Sequence, residues 1–345
     1  MMAAMTLPIP SGTRDVLPDE MRERHGVVAA LRDVFDQHGY GEVATPAVEY
    51  ASVLEQAGVA AHGDAARPRF RTVDENGETL VLRSDMTVPI ARLVGSRFAD
   101  APTPIRLSYL AHCYRGVVPG RGQVRELLQA GIELCGAEGP AGTAEALTVL
   151  VRALRAIGLE GARVAVGDAA LFPALLGGVG VHGPARDEIL HELATRDLVG
   201  LDRVVRAATD GATADLLVDV AGRRGGPELL GSLPDERVRV AATGLVQLLD
   251  GLDEDVASHL ILDLGLTRKL GYYTGAVFEV YAPGLGYAIG GGGRYDDLLG
   301  RFGRPLPAVG FALDVDALHT ALVGTSRGRW RVAPGGLDAQ EEVRP

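Results

Sequence analysis

Apolar residues first recur at helical spacing at Val27, Val28, Leu31, Val34 and Phe35, between Pro18, which suits a first helical turn, and Gly39. A helix is predicted there, followed by a short strand from Tyr40 to Thr45 that Pro46 stops. Phe70 to Val73 and Thr79 to Leu82 read as strands on either side of Asn76-Gly77, a strong hairpin signal. Ser84 is placed to cap a helix running to Phe98. Ile105, Leu107 and Tyr109 alternate with Arg106, Ser108 and Leu110, so a strand leads toward Cys113-Tyr114-Arg115. A loop rich in Gly and Pro separates it from a second strand, Arg125 to Leu134. Thr143 to Ile157 reads as a helix ended by Gly158, and Ala162 to Val166 as a strand. From about 169 to 257 the chain is rich in Ala, Leu, Val and Arg and reads as several short helices, either an inserted unit or part of the main core. His259 to Leu264 and Ala276 to Tyr281 follow as strands, Pro283 to Gly286 as a turn and Tyr287 to Ile289 as a returning strand. Leu306 to Leu313 is the last strand, Asp314 caps a helix from Val315 to about Val323, and Gly324 to Pro345 resembles a tail.

Two stretches break this pattern with unusual residues. In the strand from Arg125, a period of two puts Arg125, Leu127, Gln129, Gly131 and Glu133 on one face. An acid and an amide on one face of a central strand are costly unless they meet a partner or a ligand, which points to a polar site. Gly290 to Gly293 leave four successive residues without Cβ atoms, so a backbone or a ligand can approach closely. Arg268, Tyr272, Tyr273, Arg294 and Tyr295 flank this floor. A tight hairpin with a glycine bulge explains the glycines equally well, and Asp85 and Thr87 taken alone read as first-turn helix residues.

Composition narrows the classes. The chain has 345 residues, 47% hydrophobic and 23% charged, with a formal net charge of −11, so no global basic field draws in a polyanion. Cys113 and Cys135 give neither a metal spacing nor a disulfide framework, as expected in a reducing cytosol. The N-terminus lacks a basic region and a continuous apolar core, and no apolar run reaches the roughly 18–20 residues of a spanning helix. A cytoplasmic protein is expected. The glycine run is followed by neither Gly-Lys-Ser/Thr nor dinucleotide spacing, and there is no His-Glu-x-x-His or Gly-x-Ser-x-Gly. No metal and no cofactor are expected.

The motifs in order resemble the catalytic core of class II histidyl-tRNA synthetases over residues 8 to 320. Gly12-Thr13-Arg14-Asp15-Val16-Leu17-Pro18 and Tyr40-Gly41 with Pro46 are similar to its N-terminal, dimer-forming motif 1. Tyr114-Arg115, the glycine-rich loop and Arg125 through Glu133 are similar to motif 2, and Pro307 through Ala312 to motif 3. The stretch from Leu266 to Asp296 resembles the histidine-specific signature. The resemblance implies an α+β fold, an antiparallel six-stranded sheet flanked by helices, here with a helical insertion at about 169–257. It also implies a histidine pocket: Asp85, Thr87 and Gln129 receiving the ammonium, Glu133 and Tyr273 facing the imidazole beside Tyr272, and Arg268 with Arg115 near the carboxylate. Asp85 stands where the synthetases usually carry glutamate.

The activating apparatus departs from the synthetase pattern. Val117 replaces the glutamate that reads adenine, Gln123 a loop arginine, and Ala317 the motif 3 arginine, while Asp314 replaces a glycine and adds negative charge where a triphosphate would lie. Adenylate formation needs cations on the transferring phosphate. Lys269 and Gly271 replace the usual glycine and aspartate of the signature. The stretch after Ala317 is too short for an anticodon-binding domain. These departures are similar to those of a paralogous family, the regulatory subunits of short-form ATP phosphoribosyltransferases. That resemblance implies a non-catalytic chain assembling with a short catalytic subunit, as a hetero-octamer built on self-dimers, in the first step of histidine biosynthesis. Histidine is the expected ligand, with neither tRNA nor a membrane as partner. Two other readings stay open: a diverged enzyme that adenylates histidine or another amino acid, supported by Arg115, Arg125 and Arg268, and a ligand-free scaffold.

Overall fold

The computed structural model describes residues 8–59, 69–116, 124–267 and 272–324. Arg268, Lys269, Gly271, Val117 and Gln123 lie outside them, as does the expected tail beyond Gly324. Helix α1 (Pro18–Gln37) buries Val27, Val28, Leu31, Val34 and Phe35, the predicted stripe, and Gly39 ends it in the left-handed region at φ 76°. The strand expected from Tyr40 to Thr45 is reduced to β1 (Gly41–Glu42). One further bond, Val43 N–H to Ser108 O at 2.9 Å, prolongs the pairing, and Pro46 has no N–H to carry it on.

Strand β2 (Val48–Tyr50), helix α2 (Ala51–Gln56), and strands β3 (Arg71–Val73) and β4 (Thr79–Leu82) come next, the three strands forming a small sheet in the order β2-β4-β3. Its turn is held by Asp74 Oδ1, which accepts from the N–H of Asn76 and of Glu78, both at 2.9 Å. Helix α3 (Thr87–Arg97) starts later than the sequence suggested, and Ser84 is not its cap. The helix's N-cap residue is Met86, and the Ser84 hydroxyl instead donates to Asp85 Oδ2 at 3.0 Å.

Strands β5 (Ile105–Tyr114) and β6 (Glu126–Cys135) form a long antiparallel pair. Helix α4 (Gly139–Ala156) begins a turn before the expected Thr143 because Pro140 fits its first turn. Strand β7 (Arg163–Asp168) opens a helical excursion: α5 (Leu171–Gly178), α6 (Gly183–Thr195), α7 (Leu198–Ala208), α8 (Gly211–Gly222), the short β8 (Arg224–Gly225), α9 (Glu236–Ala241), α10 (Thr243–Asp250) and α11 (Glu254–Ala257). The chain returns through β9 (Leu260–Asp263), β10 (Ala276–Tyr281), β11 (Gly290–Arg294), β12 (Ala308–Asp314) and α12 (Val315–Val323).

The large sheet has nine strands in the order β1-β5-β6-β12-β11-β10-β7-β9-β8. The six from β5 to β7 are antiparallel throughout, as expected; β1 and β9 extend the two edges by parallel pairing, and β8 closes the far edge. Strand β6 divides the interior by its period of two. Leu128, Ala130, Ile132 and Leu134 join the apolar cluster under α1 and α4, while Leu127 and Cys135 join another with Met86, Ile90, Tyr109, Tyr272 and Tyr295. Leu171, Phe172, Leu201, Leu217 and Leu245 of the helical excursion belong to the first of these clusters, so its apolar face is continuous with the main core.

The strand expected at Tyr287 to Ile289 lies further on: the four glycines are themselves the strand β11, between β10 and β12. Their bareness is explained by crowding. A Cβ on Gly290 would come within 2.6 Å of Leu313 Cδ2, and one on Gly292 within 2.7 Å of Phe278 Cε2.

Candidate functional site

Glu133 is the centre of the polar face of β6. It is 1% exposed, yet both carboxyl oxygens are used: Thr87 Oγ1 donates to Oε1 at 2.9 Å, and the Tyr295 hydroxyl donates to Oε2. Burial pushes this carboxyl up to about 8; the two hydroxyl donors favour the charged form and only partly offset the burial, and the nearby Asp85 charge adds repulsion. Gly310 lies opposite on β12, and a Cβ there would collide with the carboxyl. Two positions back, Gly131 leaves room for the Tyr109 ring, whose hydroxyl donates to Phe311 O at 3.3 Å.

Around this acid stand acceptors with nothing to accept from. Gln129 is 6% exposed and its Oε1 has no hydrogen-bond partner, and Asp85 Oδ1 is buried in the same condition. Orphaned buried acceptors are costly, so such a pair calls for a donor, and a cation satisfies the acid best. Asp85 is carried on the segment immediately before α3, and its charge acts on Glu133, Tyr109 and Tyr272.

The opposite wall is aromatic. Tyr272 and Tyr273 have ring centroids 4.8 Å apart, and Tyr295 lies 5.7 Å from the first and 6.5 Å from the second. Burial raises Tyr272 and Tyr295 well above the ordinary phenol range, so both stay protonated donors. Gly293 makes this wall possible, since a Cβ there would come within 2.7 Å of Tyr273 Cδ1 and of Ala276 O. The glycine floor therefore seats a tyrosine ring and neighbouring strands rather than lying bare beneath a ligand. Arg294, the next residue, is structural: it pairs with Asp296 at 3.0 Å and donates to Gly139 O at 3.0 Å.

Asp85, Thr87, Glu133, Tyr272 and Tyr273 are thus brought to one region, with Gln129 four residues before Glu133 on the same face of β6. Arg115 sits at its edge, with Nε donating to Ser84 O at 3.1 Å and its charge acting on Asp314. Arg268 falls outside the described residues. The sequence assigned no role to Tyr295 beyond flanking the glycines, though it bonds Glu133 directly, nor any to Arg69, whose half-buried guanidinium feels the charge of Asp85. Tyr295 was discoverable from its place one residue past the strand; Arg69 carries no local signal. Among the described residues, no group of three or more His, Cys, Asp or Glu side chains could hold a metal ion, and no helix is long and apolar enough to cross a membrane.

At α12 the positive helix end is already satisfied from within. Asp314 caps it, Oδ1 accepting from the N–H of Asp316 at 3.0 Å and of Ala317 at 3.1 Å. Asp316 then accepts from Arg14 at 2.8 Å and pairs with Arg24 at 3.4 Å.

A six-stranded antiparallel centre, a polar face on β6 and a tyrosine wall beside a glycine strand define a protein of the class II synthetase type. The family model described as histidyl-tRNA synthetase matches residues 12–318. A histidyl-tRNA synthetase from Nostoc sp. PCC 7120 shares the fold with a TM-score of 0.75 at 19% identity, covering 92% of this chain and 76% of that one. A structure from Bacillus halodurans C, described as an ATP phosphoribosyltransferase regulatory subunit/histidyl-tRNA synthetase, is closer at TM-score 0.83 and 31% identity, covering 93% and 85%. The ATP phosphoribosyltransferase regulatory subunit of Symbiobacterium thermophilum is 40% identical over 342 residues, covering 96% of this chain and 83% of that protein. That of Rubrobacter xylanophilus is 41% identical over 328 residues, covering 90% and 76%. The chain belongs to the ATP phosphoribosyltransferase regulatory-subunit family, on a histidyl-tRNA synthetase-like fold.

Proposed function

We propose that the chain is a non-catalytic regulatory subunit, acting in the cytoplasm with a separate ATP phosphoribosyltransferase catalytic subunit, and that its pocket binds histidine as a feedback signal. The synthetase-like core, interrupted by the helical excursion, would form self-dimers within a hetero-octamer and would not engage tRNA. The observation that carries the ligand reading is buried Glu133, fixed by Thr87 and Tyr295 beside the unpartnered acceptors Asp85 Oδ1 and Gln129 Oε1. Such a site suits a small zwitterion: the acceptors take its ammonium, the carboxyl takes an imidazole N–H, and the tyrosine wall packs its ring. Arg115, with Arg268, would stand toward its carboxylate. The absence of catalysis is supported at α12, where Asp314 occupies the helix end that would otherwise attract phosphate.

A ligand can shift the complex only if it binds its states with different affinity. The test is co-expression with the short catalytic subunit of the same genome, followed by calorimetry with histidine on the chain and on the complex. Failure to co-purify together with unchanged catalytic activity would overturn the assembly, and no heat on either would overturn histidine sensing.

A further inference from the structure

Arg196 is the non-glycine residue with positive φ among the described residues, at φ 58° and ψ 29°, where it ends α6. Helix ends of this kind favour glycine, because a Cβ in the left-handed region is strained. A strained residue needs a reason in its side chain. Here the guanidinium forks to two strands of the sheet: NH1 lies 3.3 Å from Asp263 Oδ2 on β9, and NH2 3.1 Å from Glu279 Oε2 on β10. Arg224, on β8, reaches the same Asp263 Oδ2 at 2.8 Å. Asp263 is 2% exposed, so a buried carboxylate is neutralised by two arginines that both come from the helical excursion.

Asp263 also shapes the turn that follows β9. Its Oδ1 accepts from Gly265 N–H at 3.2 Å and its carbonyl from Leu266 N–H at 3.0 Å. Leu266 packs with Ala165 and Val277 in a small apolar cluster that Tyr273 and Tyr281 complete, and the Tyr281 hydroxyl donates to Glu279 Oε2 at 2.6 Å. The ion-pair node therefore touches the Tyr273 side of the pocket through packed side chains.

We propose that Arg196, through Asp263 and Glu279, is a positioning residue that couples occupancy of the pocket to the helical excursion α6–α8. This rests on the histidine reading above. Asp263 is buried while Arg196 is partly exposed; losing Arg196 leaves Asp263 to Arg224 and takes the guanidinium from Glu279, so movement of either side is resisted by the other. Arg196→Gly tests it cleanly: glycine adopts the same backbone without strain, so the fold is retained while the link is lost.

Hydrogen–deuterium exchange on the complete chain, with and without L-histidine, provides the readout. In the wild type we expect protection in β6 and β10 and, by at least about fivefold, in residues 198–222. In Arg196→Gly the first persists and the second disappears. No protection anywhere in the wild type overturns the histidine reading itself. Pocket protection that leaves 198–222 unchanged, or changes it equally in the variant, overturns the coupling alone. If the glycine variant loses its thermal transition, Arg196→Lys, a point charge that cannot fork to both carboxylates, takes its place with the same two readings.

Discussion

Replacing Glu133 by Gln preserves the shape of the pocket and removes one titrating group, so its effect on histidine binding should itself depend on pH. The wild-type carboxyl, pushed up to about 8 by burial, is mostly protonated at pH 7. Accepting an imidazole N–H as a carboxylate requires it to ionise first, which costs about 1.4 kcal/mol one pH unit below its midpoint. A hydrogen bond to a charged partner contributes about 1.5–3 kcal/mol. The cost offsets about half or more of this at pH 7, leaving wild type at most about 15-fold tighter than Glu133→Gln. At pH 9 the ionisation cost is gone, and the ratio should rise to about 10–150-fold. Titration of free histidine affects both proteins alike and drops out of the ratio. Calorimetric Kd values for both proteins at pH 7, 8 and 9 check this. A ratio that stays flat across that range, or remains below about twofold at pH 9, would refute the assignment of Glu133 to the imidazole.

The same group predicts a stability effect without ligand. Its folded midpoint of about 8 lies above the ordinary 4.5, so between those values the folded chain holds a proton that the unfolded chain has lost. Stability contributed by this group therefore falls by about 1.4 kcal/mol per unit as pH rises through that window, and Tm of Glu133→Gln relative to wild type should climb from pH 5 to 8. Tyr295→Phe removes the donor to Glu133 Oε2 and should weaken histidine binding by about 1–2 kcal/mol while leaving co-purification with the catalytic subunit intact; loss of assembly would make Tyr295 structural. Gly293→Ala forces a methyl against Ala276 O and the Tyr273 ring and should cost about 1–3 kcal/mol in urea unfolding; an unchanged midpoint would contradict the packing described for β11.

Periodicity carried most of the fold because burial imposes it directly. The α1 stripe, the alternation along β6 and the Asp314 cap stand where their residue types demanded. Errors arose where the decisive neighbours are remote in sequence. Gly290 to Gly293 read locally as a bare floor or a glycine bulge in a hairpin; they are a strand between β10 and β12, kept free of side chains because Leu313, Phe278 and Tyr273 crowd them from other elements. Ser84 had the right chemistry for a cap, but its hydroxyl turned to Asp85. At the site, the polar face of Gln129, Gly131 and Glu133 was legible from alternation alone, whereas the Tyr295 bond to Glu133 spans 162 residues and needs the folded sheet to be seen. The node at Asp263 was invisible for the same reason, since its arginines arrive from separate points of the helical excursion.

The Asp314 cap has an evolutionary consequence. Ala317 is the third residue of α12, and its backbone N–H is already bound by the Asp314 carboxylate. An arginine regained at position 317 would emerge beside that anion, so its charge would be neutralised by the chain before any phosphate could use it. Returning Asp314 to glycine costs only a few tenths of a kcal/mol of capping, but without a cation at 317 it leaves the phosphate position merely neutral. Two substitutions are needed together, each of little use without the other. The cap therefore stands first in the way of phosphate at this helix end, since a cation at 317 could meet one only once position 314 no longer carries a charge.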